Sequence, residues 1–130
     1  RPPCCSDSIT SVSCKRMQQF DPINFALRCK EDVDFSLIQC CSSCGMEQSP
    51  LRYQQFFALE ENSPFCFDRH SLDFCERFKE GTAFWHNTKW TCNGDSTPLA
   101  FRICRKTCGY CSGSLYSSSN GQIKPKSCGR

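Results

Sequence analysis

The sequence lacks long apolar runs and carries little net charge. No stretch approaches the ~18 consecutive apolar residues of a membrane-spanning helix, so we expect no membrane span. The formal net charge is +3 at pH 7. A balance this mild does not by itself indicate nucleic acid or an anionic membrane as a partner, and we expect no nucleic-acid binding.

Histidine is also scarce, with only His70 and His86 in the chain. A secreted phospholipase A2 needs a histidine directly after a cysteine pair, and neither Cys4-Cys5 nor Cys40-Cys41 has one nearby. No serine lies in a nucleophile elbow that would suit a Ser-His-Asp triad. We therefore predict no catalytic residues and a protein that is not an enzyme.

Cysteine, by contrast, is abundant, with 14 among 130 residues. This share is typical of a small disulfide scaffold, whose core is too limited to fold without covalent links. Disulfides persist in oxidising compartments, which predicts a secreted, extracellular protein. They are favoured over zinc or iron–sulfur sites, which need reduced thiolates, so we predict no metal and no cofactor. The chain begins without an apolar leader, so we expect that a signal peptide was removed or that the segment comes from a larger protein.

The cysteine spacing repeats along the chain. In both copies the first gap is eight residues and the last of the compared gaps is three, while the middle gaps are 14 and 10 in one copy and 16 and 11 in the other. The copies consist of Cys5, Cys14, Cys29, Cys40 and Cys44, and of Cys66, Cys75, Cys92, Cys104 and Cys108, followed by Cys111. We interpret them as two versions of one module.

The segments outside the two modules differ in composition. Ser49-Pro50 is a helix-start signal, and Tyr53, Phe56 and Phe57 follow with helical spacing, so the connector is predicted to be helical and to pack on one or both modules. A free amphipathic helix that binds a partner is the alternative. The tail is rich in Ser and Gly, a composition typical of disorder. The predicted organisation is a module at 4–45, a helical connector at 46–65, a module at 66–111 and a tail at 112–130.

The second module resembles the ShKT family, a small six-cysteine fold known from potassium-channel toxins. The resemblance rests on Cys104-Arg105-Lys106-Thr107-Cys108-Gly109-Tyr110-Cys111 and on Cys66-Phe67-Asp68. The first module is similar to a degenerate copy: a sixth cysteine is missing near Glu47, and Cys4 and Cys41 are additional. The implied fold is small and disulfide-rich, made mainly of short α-helices and loops, with two ShKT-like modules joined by the helical connector.

Spacing alone leaves 15 connectivities open for six cysteines. The family resemblance implies Cys66–Cys111, Cys75–Cys104 and Cys92–Cys108, and in the first copy Cys14–Cys40 and Cys29–Cys44. Cys5 lacks its usual partner, for which Cys41 is the natural replacement. Cys4 and Cys128 remain; we favour a bridge between them over pairing with another molecule.

Two further expectations concern the second module. The resemblance implies a structural ion pair between Asp68 and Lys106. Ser71 is predicted to cap a short helix on which Leu72, Cys75 and Phe78 face inward.

An aromatic cluster lies in the long segment between Cys75 and Cys92. Its candidate binding residues are Phe84, Trp85, Lys89 and Trp90. Either the two tryptophans cover the small core, or the cluster is an exposed patch of the kind that carries binding energy at protein interfaces.

These features predict a non-catalytic extracellular protein-binding module or ligand whose partner is an extracellular protein or receptor. Potassium-channel block is the alternative, because toxins of the resembling family present a Lys followed by an aromatic residue from the segment before the fourth cysteine. Here that segment, 93–103, has no Lys, and its nearest substitute is Phe101-Arg102 in reverse order. An ancillary region of a larger secreted enzyme is the third possibility.

Overall fold

The computed structural model describes residues 3–80, 83–85, 88–92, 97–118, 121–122 and 125–128, of which 83–85, 88–90, 117–118 and 121–122 are described by their backbone alone. The protein is small, disulfide-rich and mainly helical. Its α-helices are α1 (Ser11–Phe20), α2 (Pro22–Glu31), α3 (Cys41–Gly45), α4 (Ser49–Phe56), α5 (Leu72–Glu80) and α6 (Thr97–Ile103). A π-helical turn covers Phe35–Gln39, and 3-10 turns cover Glu60–Asn62 and Gly113–Tyr116.

Two short antiparallel hairpins accompany the helices. Strands β1 (Ala83–Trp85) and β2 (Thr88–Trp90) form one, and β3 (Ser117–Ser118) and β4 (Gly121–Gln122) form the other. None of the helices in the described ranges is long and apolar enough to cross a bilayer.

All 14 cysteines are paired, and the seven disulfides are the same seven pairs that were expected from the sequence and the family resemblance. The bonds are Cys4–Cys128, Cys5–Cys41, Cys14–Cys40, Cys29–Cys44, Cys66–Cys111, Cys75–Cys104 and Cys92–Cys108. Each bond joins two cysteines that belong to the same one of the two compact units described next.

The chain divides into two compact units whose boundary falls inside the predicted connector. The first unit comprises Cys4–Phe56 together with Tyr116–Arg130, and the second comprises Phe57–Leu115 with Arg1–Pro3. The predicted apolar stripe of the connector is thereby shared: Tyr53 and Phe56 are buried in the first unit, and Phe57 in the second.

The first unit is built around two capped helices. The Thr10 hydroxyl accepts a hydrogen bond from the Ser13 amide, 2.9 Å away, at the start of α1. Asp21 does the same for α2, accepting from the Asn24 amide at 3.0 Å, and Pro22 occupies the first helical position. The inner faces of both helices enclose a core of Cys14, Phe25, Cys29, Phe35 and Cys40.

Arg52 of α4 is a buried cation of the first unit, with 8% of its surface exposed. Its guanidinium donates to the Ser36 hydroxyl at 2.7 Å and to the carbonyl oxygens of Ser36, Cys41, Cys44 and Gly45. Burial lowers the pKa of Arg52 from its usual value, and nearby Tyr53 opposes this shift. The side chain therefore links α4 to the π-helical turn and to the end of α3.

Part of the predicted tail is folded onto the first unit, which differs from the expectation of disorder. The Tyr116 ring is buried and stacks on Tyr53, with ring centroids 4.0 Å apart. Further along, the Cys5 amide donates to the Lys126 carbonyl at 2.7 Å, beside the Cys4–Cys128 bond. Composition alone did not reveal this because the anchoring comes from one aromatic ring and one disulfide.

The second unit has its own aromatic core. Phe101 of α6 packs edge-on against Phe57 and Tyr110, with centroid distances of 6.3 and 5.4 Å. Helix α5 begins after Ser71, whose hydroxyl accepts from the Phe74 amide at 3.3 Å, and it buries Phe78. The prediction that Leu72 faces inward is wrong, since 64% of its surface is exposed at the first turn of the helix.

Candidate interaction site

Asp68 contacts the segment between the fourth and fifth cysteines of the second unit, residues 104–108, which we call its closing turn; residues 40–44 are the closing turn of the first unit. Its carboxylate accepts from the Thr107 amide at 3.0 Å and from the Thr107 hydroxyl at 2.6 Å. Among the described residues no ion pair joins Asp68 to Lys106, which corrects the expectation taken from the family. The reason is geometric: the residue after the lysine points at the carboxylate, and the Lys106 side chain is exposed.

The first unit contains the same arrangement at the matching positions. The Asp7 carboxylate accepts from the Ser43 amide at 2.8 Å and from the Ser43 hydroxyl at 2.6 Å. Ser43 and Thr107 both precede the last cysteine shared by the two spacing patterns. A side chain that combines a backbone amide with a hydroxyl is thus the partner that both carboxylates use.

A cleft of about 460 Å³ opens beside the closing turn of the second unit. Its lining combines carboxylates, an amide and an ammonium, and includes Leu59, Glu60, Glu61, Asn62, Lys106 and Gly109. Glu60 has a φ of 50°, in the left-handed region that a residue with a side chain rarely adopts. The cleft presents charges of both signs, and the charged side chains that line it are all exposed, so the lining does not favour a ligand of one particular charge.

The predicted aromatic cluster lies on the hairpin of β1 and β2. The register pairs Ala83 with Trp90, Phe84 with Lys89 and Trp85 with Thr88. Because alternate residues of a strand belong to opposite faces, Trp85 and Trp90 share one face of the hairpin, and Phe84 and Lys89 share the other. The side chains of these residues lie outside the described part of the structure. The four candidate residues therefore belong to two faces of a hairpin rather than to one loop.

The other features that were considered from the sequence lie in positions that do not indicate a binding or catalytic site. The Phe101 ring is fully buried, so Phe101-Arg102 does not present an aromatic side chain beside its basic one. His70 packs against Phe74, with ring centroids 4.8 Å apart. In the described ranges, no three His, Cys, Asp or Glu residues are grouped in a way that suits a metal ion.

An exposed apolar surface on the first unit was missed by the sequence reasoning. Phe20, at the end of α1, is 91% exposed, and Ile23 and Leu27 on α2 are 77% and 47% exposed. We call these three residues the apolar corner. The available signal was helical spacing, because Ile23 and Leu27 lie four residues apart on the side of α2 opposite Phe25 and Cys29.

Three surfaces are thus candidates for interaction: the β1–β2 hairpin, the cleft and the apolar corner. The first two belong to the second unit and the third to the first unit. No protein-family model, curated protein or solved structure matches the chain.

Proposed function

We propose that the chain is a secreted, non-catalytic protein-binding module built from two ShKT-like units. Its partner is an extracellular protein or receptor, contacted through the Trp85–Trp90 face of the second unit's hairpin. The paired cysteines support an extracellular setting, because so many disulfides persist only in oxidising surroundings.

Two observations support the ShKT-like description. The three disulfides of the second unit pair first with sixth, second with fourth and third with fifth cysteine, as the resemblance implies. The carboxylate contacts of Asp7 and Asp68 also recur at matching positions of the two units.

The register of the hairpin is the observation that carries the choice of surface. It assigns both tryptophans of the chain to one face of a two-stranded hairpin, diagonal to each other across the strands. Tryptophan is enriched among the few residues that dominate interface energies. The hairpin lies between two cysteines that are tied into the second unit, Cys75 by its bond to Cys104 and Cys92 by its bond to Cys108.

Site-specific photo-crosslinking tests this proposal. A benzophenone side chain replaces Trp85 in one sample and Phe84, on the opposite face, in the matched control. Each is irradiated with intact cells that display extracellular proteins. We expect the benzophenone at position 85 to crosslink a cell-surface protein. An excess of wild-type chain should prevent this crosslink by competition, whereas an excess of the Trp85→Ala/Trp90→Ala variant should not.

The competition experiment also separates binding from folding. Intact mass under non-reducing conditions and circular dichroism show whether each variant retains its seven disulfides and its helices. A variant with both tryptophans replaced that folds normally and still competes like wild type would contradict the proposal. So would loss of the fold in that variant, because it would assign the tryptophans to the core.

A further inference from the structure

The Cys4–Cys128 bond is more accessible to solvent than the other six disulfides. All 14 cysteines lie in the described ranges, and among them only Cys128 is exposed, while its partner Cys4 is half-buried. Each of the other six bonds contains at least one buried cysteine. A thiolate opens a disulfide by attacking one sulfur atom in line with the bond, so access to the sulfur atoms limits which bonds react. An external thiol therefore reaches this bond first.

Two other bonds provide the closest comparison. Cys29–Cys44 and Cys92–Cys108 each pair a buried cysteine with a half-buried one. The buried members, Cys29 and Cys92, are 8% and 7% exposed. A thiol reaches such a bond readily only after a local opening of the structure, and that opening costs free energy. Exchange at these two bonds should therefore be slower than exchange at the exposed bond.

Two hydrogen bonds accompany the disulfide where residues 125–128 meet the rest of the first unit. The Cys5 amide donates to the Lys126 carbonyl oxygen at 2.7 Å, and the Cys128 amide donates to the Ser6 hydroxyl at 3.0 Å. Lys126 and Cys128 are both exposed. Water competes for hydrogen bonds at such a surface, so each contributes only modestly to holding the segment. The disulfide is therefore the main tie of this segment.

The rest of the first unit is held together without this bond. Three disulfides cross-link residues 5–44, and the guanidinium of Arg52 joins α4 to the π-helical turn and to α3. The ring of Tyr116 is buried and stacks on Tyr53. All these contacts precede residues 117–128 in the chain, so they remain when the exposed bond opens. The stacked tyrosine then marks the point from which the chain is freed.

We propose that Cys4–Cys128 is a thiol-exchange site that latches residues 117–128 onto the first unit. The thiolate of an external thiol attacks Sγ of Cys128, because this residue is exposed and Cys4 is only half-buried. A new disulfide forms between the external sulfur and Cys128 as the Cys4–Cys128 bond breaks. The electron pair of the broken bond leaves with Sγ of Cys4, which takes up the proton that the external thiol released. One disulfide replaces another, so the step needs no oxidant or reductant besides the thiol.

The exchange has two consequences. The external molecule becomes covalently attached to Cys128, and residues 117–128 lose their main tie while the other six disulfides persist. The reverse step restores the latch, because the Cys4 thiolate attacks the mixed disulfide and expels the external thiol. The site belongs to the first unit and is independent of the hairpin and of the protein partner proposed above.

Peptide mapping after brief exposure to glutathione tests the proposal. The folded full chain is incubated with glutathione without denaturant, quenched with acid, alkylated, and digested without reduction for mass spectrometry. We expect the first modified species to carry glutathione on Cys128 and an alkylated thiol on Cys4. This reaction should be at least about tenfold faster than exchange at the two comparison bonds, because those bonds need a local opening.

A parallel sample with reduced thioredoxin distinguishes the source of the thiol. Thioredoxin carries two cysteines, so it should resolve the mixed disulfide and leave alkylated thiols on both Cys4 and Cys128. Opening by glutathione as well as by thioredoxin would assign the site to small thiols and protein thiols alike. Opening by thioredoxin alone would restrict it to protein thiols, and no opening by either would refute the exchange site.

Amide hydrogen exchange measures release of the segment. In Cys4→Ser/Cys128→Ser, the Cys5 amide should exchange at least about tenfold faster than in wild type, because its acceptor on Lys126 is no longer tied in place. Ser6→Ala is the matched control: it removes only the hydroxyl that accepts from the Cys128 amide, and it should change this rate by less than about twofold. Circular dichroism and non-reducing mass verify the helices and the remaining disulfides of each variant.

Four further results would overturn the proposal. The first is a first modified species in which any other disulfide has opened. The second is glutathione on Cys4 with a free thiol on Cys128, which would reverse the direction of attack. The third is a folded Cys4→Ser/Cys128→Ser variant whose Cys5 amide exchanges as in wild type, since the segment would then be held without the bond. The fourth is loss of the helices in that variant, because the bond would then be required for the fold.

Discussion

The two units differ at the residue that directly follows the fourth cysteine of the shared spacing pattern. In the first unit this residue is Cys41, which is bonded to Cys5, whereas in the second it is Arg105, and Cys66 is instead bonded to Cys111. Arg105 is 1% exposed and donates to the Phe65 and Phe101 carbonyl oxygens, and its guanidinium lies 5.0 and 4.7 Å from the Phe67 and Phe101 rings.

The first unit places a buried arginine by a different route. Arg52 comes from α4, beyond the closing turn, and reaches back to the carbonyl oxygens of Cys41 and Gly45. Buried carbonyl oxygens need donors, and a guanidinium supplies up to five from one side chain. The comparison teaches that the units share two of their disulfides and the aspartate contact, while the third disulfide and the buried cation come from different positions.

The largest expected effect comes from removing the disulfide that differs between the units. Replacing Cys66 and Cys111 by Ala should lower the free energy of unfolding of the second unit by about 4 kcal/mol on the chain-entropy relation for a separation of 45 residues. Replacing Cys5 and Cys41 should cost the first unit nearly the same, since the separation is 36. Tryptophan fluorescence in denaturant reports the second unit, because both tryptophans lie there, and circular dichroism reports both.

Replacing the buried arginines should have the next largest effect on the free energy of unfolding, and each replacement should destabilise one unit and not the other. Arg52→Met leaves several carbonyl oxygens without their donor and should destabilise the first unit by about 3 kcal/mol. Arg105→Met should cost about 2 kcal/mol, because it removes the donors to the Phe65 and Phe101 carbonyl oxygens while Met keeps part of the side-chain packing. Arg16→Met, on the exposed face of α1, is the control for denaturant unfolding. An equal cost for Arg52 and Arg16 would show that the Arg52 contacts are not needed for stability.

The aspartate contacts should have smaller and similar effects in the two units. Asp7→Ala and Asp68→Ala each remove two hydrogen bonds from a half-buried turn, with an expected loss of about 2 kcal/mol. Removing only the hydroxyl donor, in Ser43→Ala or Thr107→Ala, should cost about 1 kcal/mol, because the hydrogen bond from the backbone amide to the carboxylate remains. Denaturant midpoints for the four variants test this order, and a loss in only one unit would break the correspondence between them.

The smallest expected effect distinguishes the observed aspartate partner from the ion pair implied by the family. Lys106→Ala should change the free energy of unfolding by less than about 0.5 kcal/mol, as is usual for an exposed side chain without a structural contact. Thermal unfolding followed by fluorescence is sufficient to measure it. A loss comparable to that of Asp68→Ala would restore the ion pair.

Channel recordings sharpen the comparison at the level of activity. The chain should leave voltage-gated potassium currents unchanged at micromolar concentration, because Phe101 is buried and α6 carries no lysine. An Arg102→Ala variant is the matched control for any weak effect. Block by wild type that Arg102→Ala removes would favour the toxin-like alternative over the proposed binding module.

The sequence predicted more of the covalent framework than of the surfaces. Cysteine content and repeat spacing indicated a cross-linked fold of two related modules, and the family resemblance supplied the pairing. The Ser71 cap follows from a local hydrogen bond, which involves residues close in the chain and is therefore readable from sequence. The inward position of Leu72 was predicted wrongly because helical spacing defines a stripe but does not set which edge of it meets the core.

The β1–β2 hairpin shows the same limit for the candidate site. Phe84, Trp85, Lys89 and Trp90 were grouped because they are close in sequence, whereas strand pairing divides them between two faces. Successive residues of a strand lie on opposite faces, so a cluster of residues that are neighbours in sequence does not define a surface until the register of the strands is known.

Composition by itself determined that sulfur cross-links hold this chain together, and cysteine spacing predicted two modules that follow one pattern. Those properties depend on residue identity and on distance along the chain. Tertiary structure alone decided that Thr107 and not Lys106 meets Asp68, that Arg52 and Arg105 are buried, and that Phe20 and Ile23 remain in water. Each of these depends on which groups from distant positions compete for the same small interior, and hydrogen-bond geometry and available volume settle that competition only in the folded molecule.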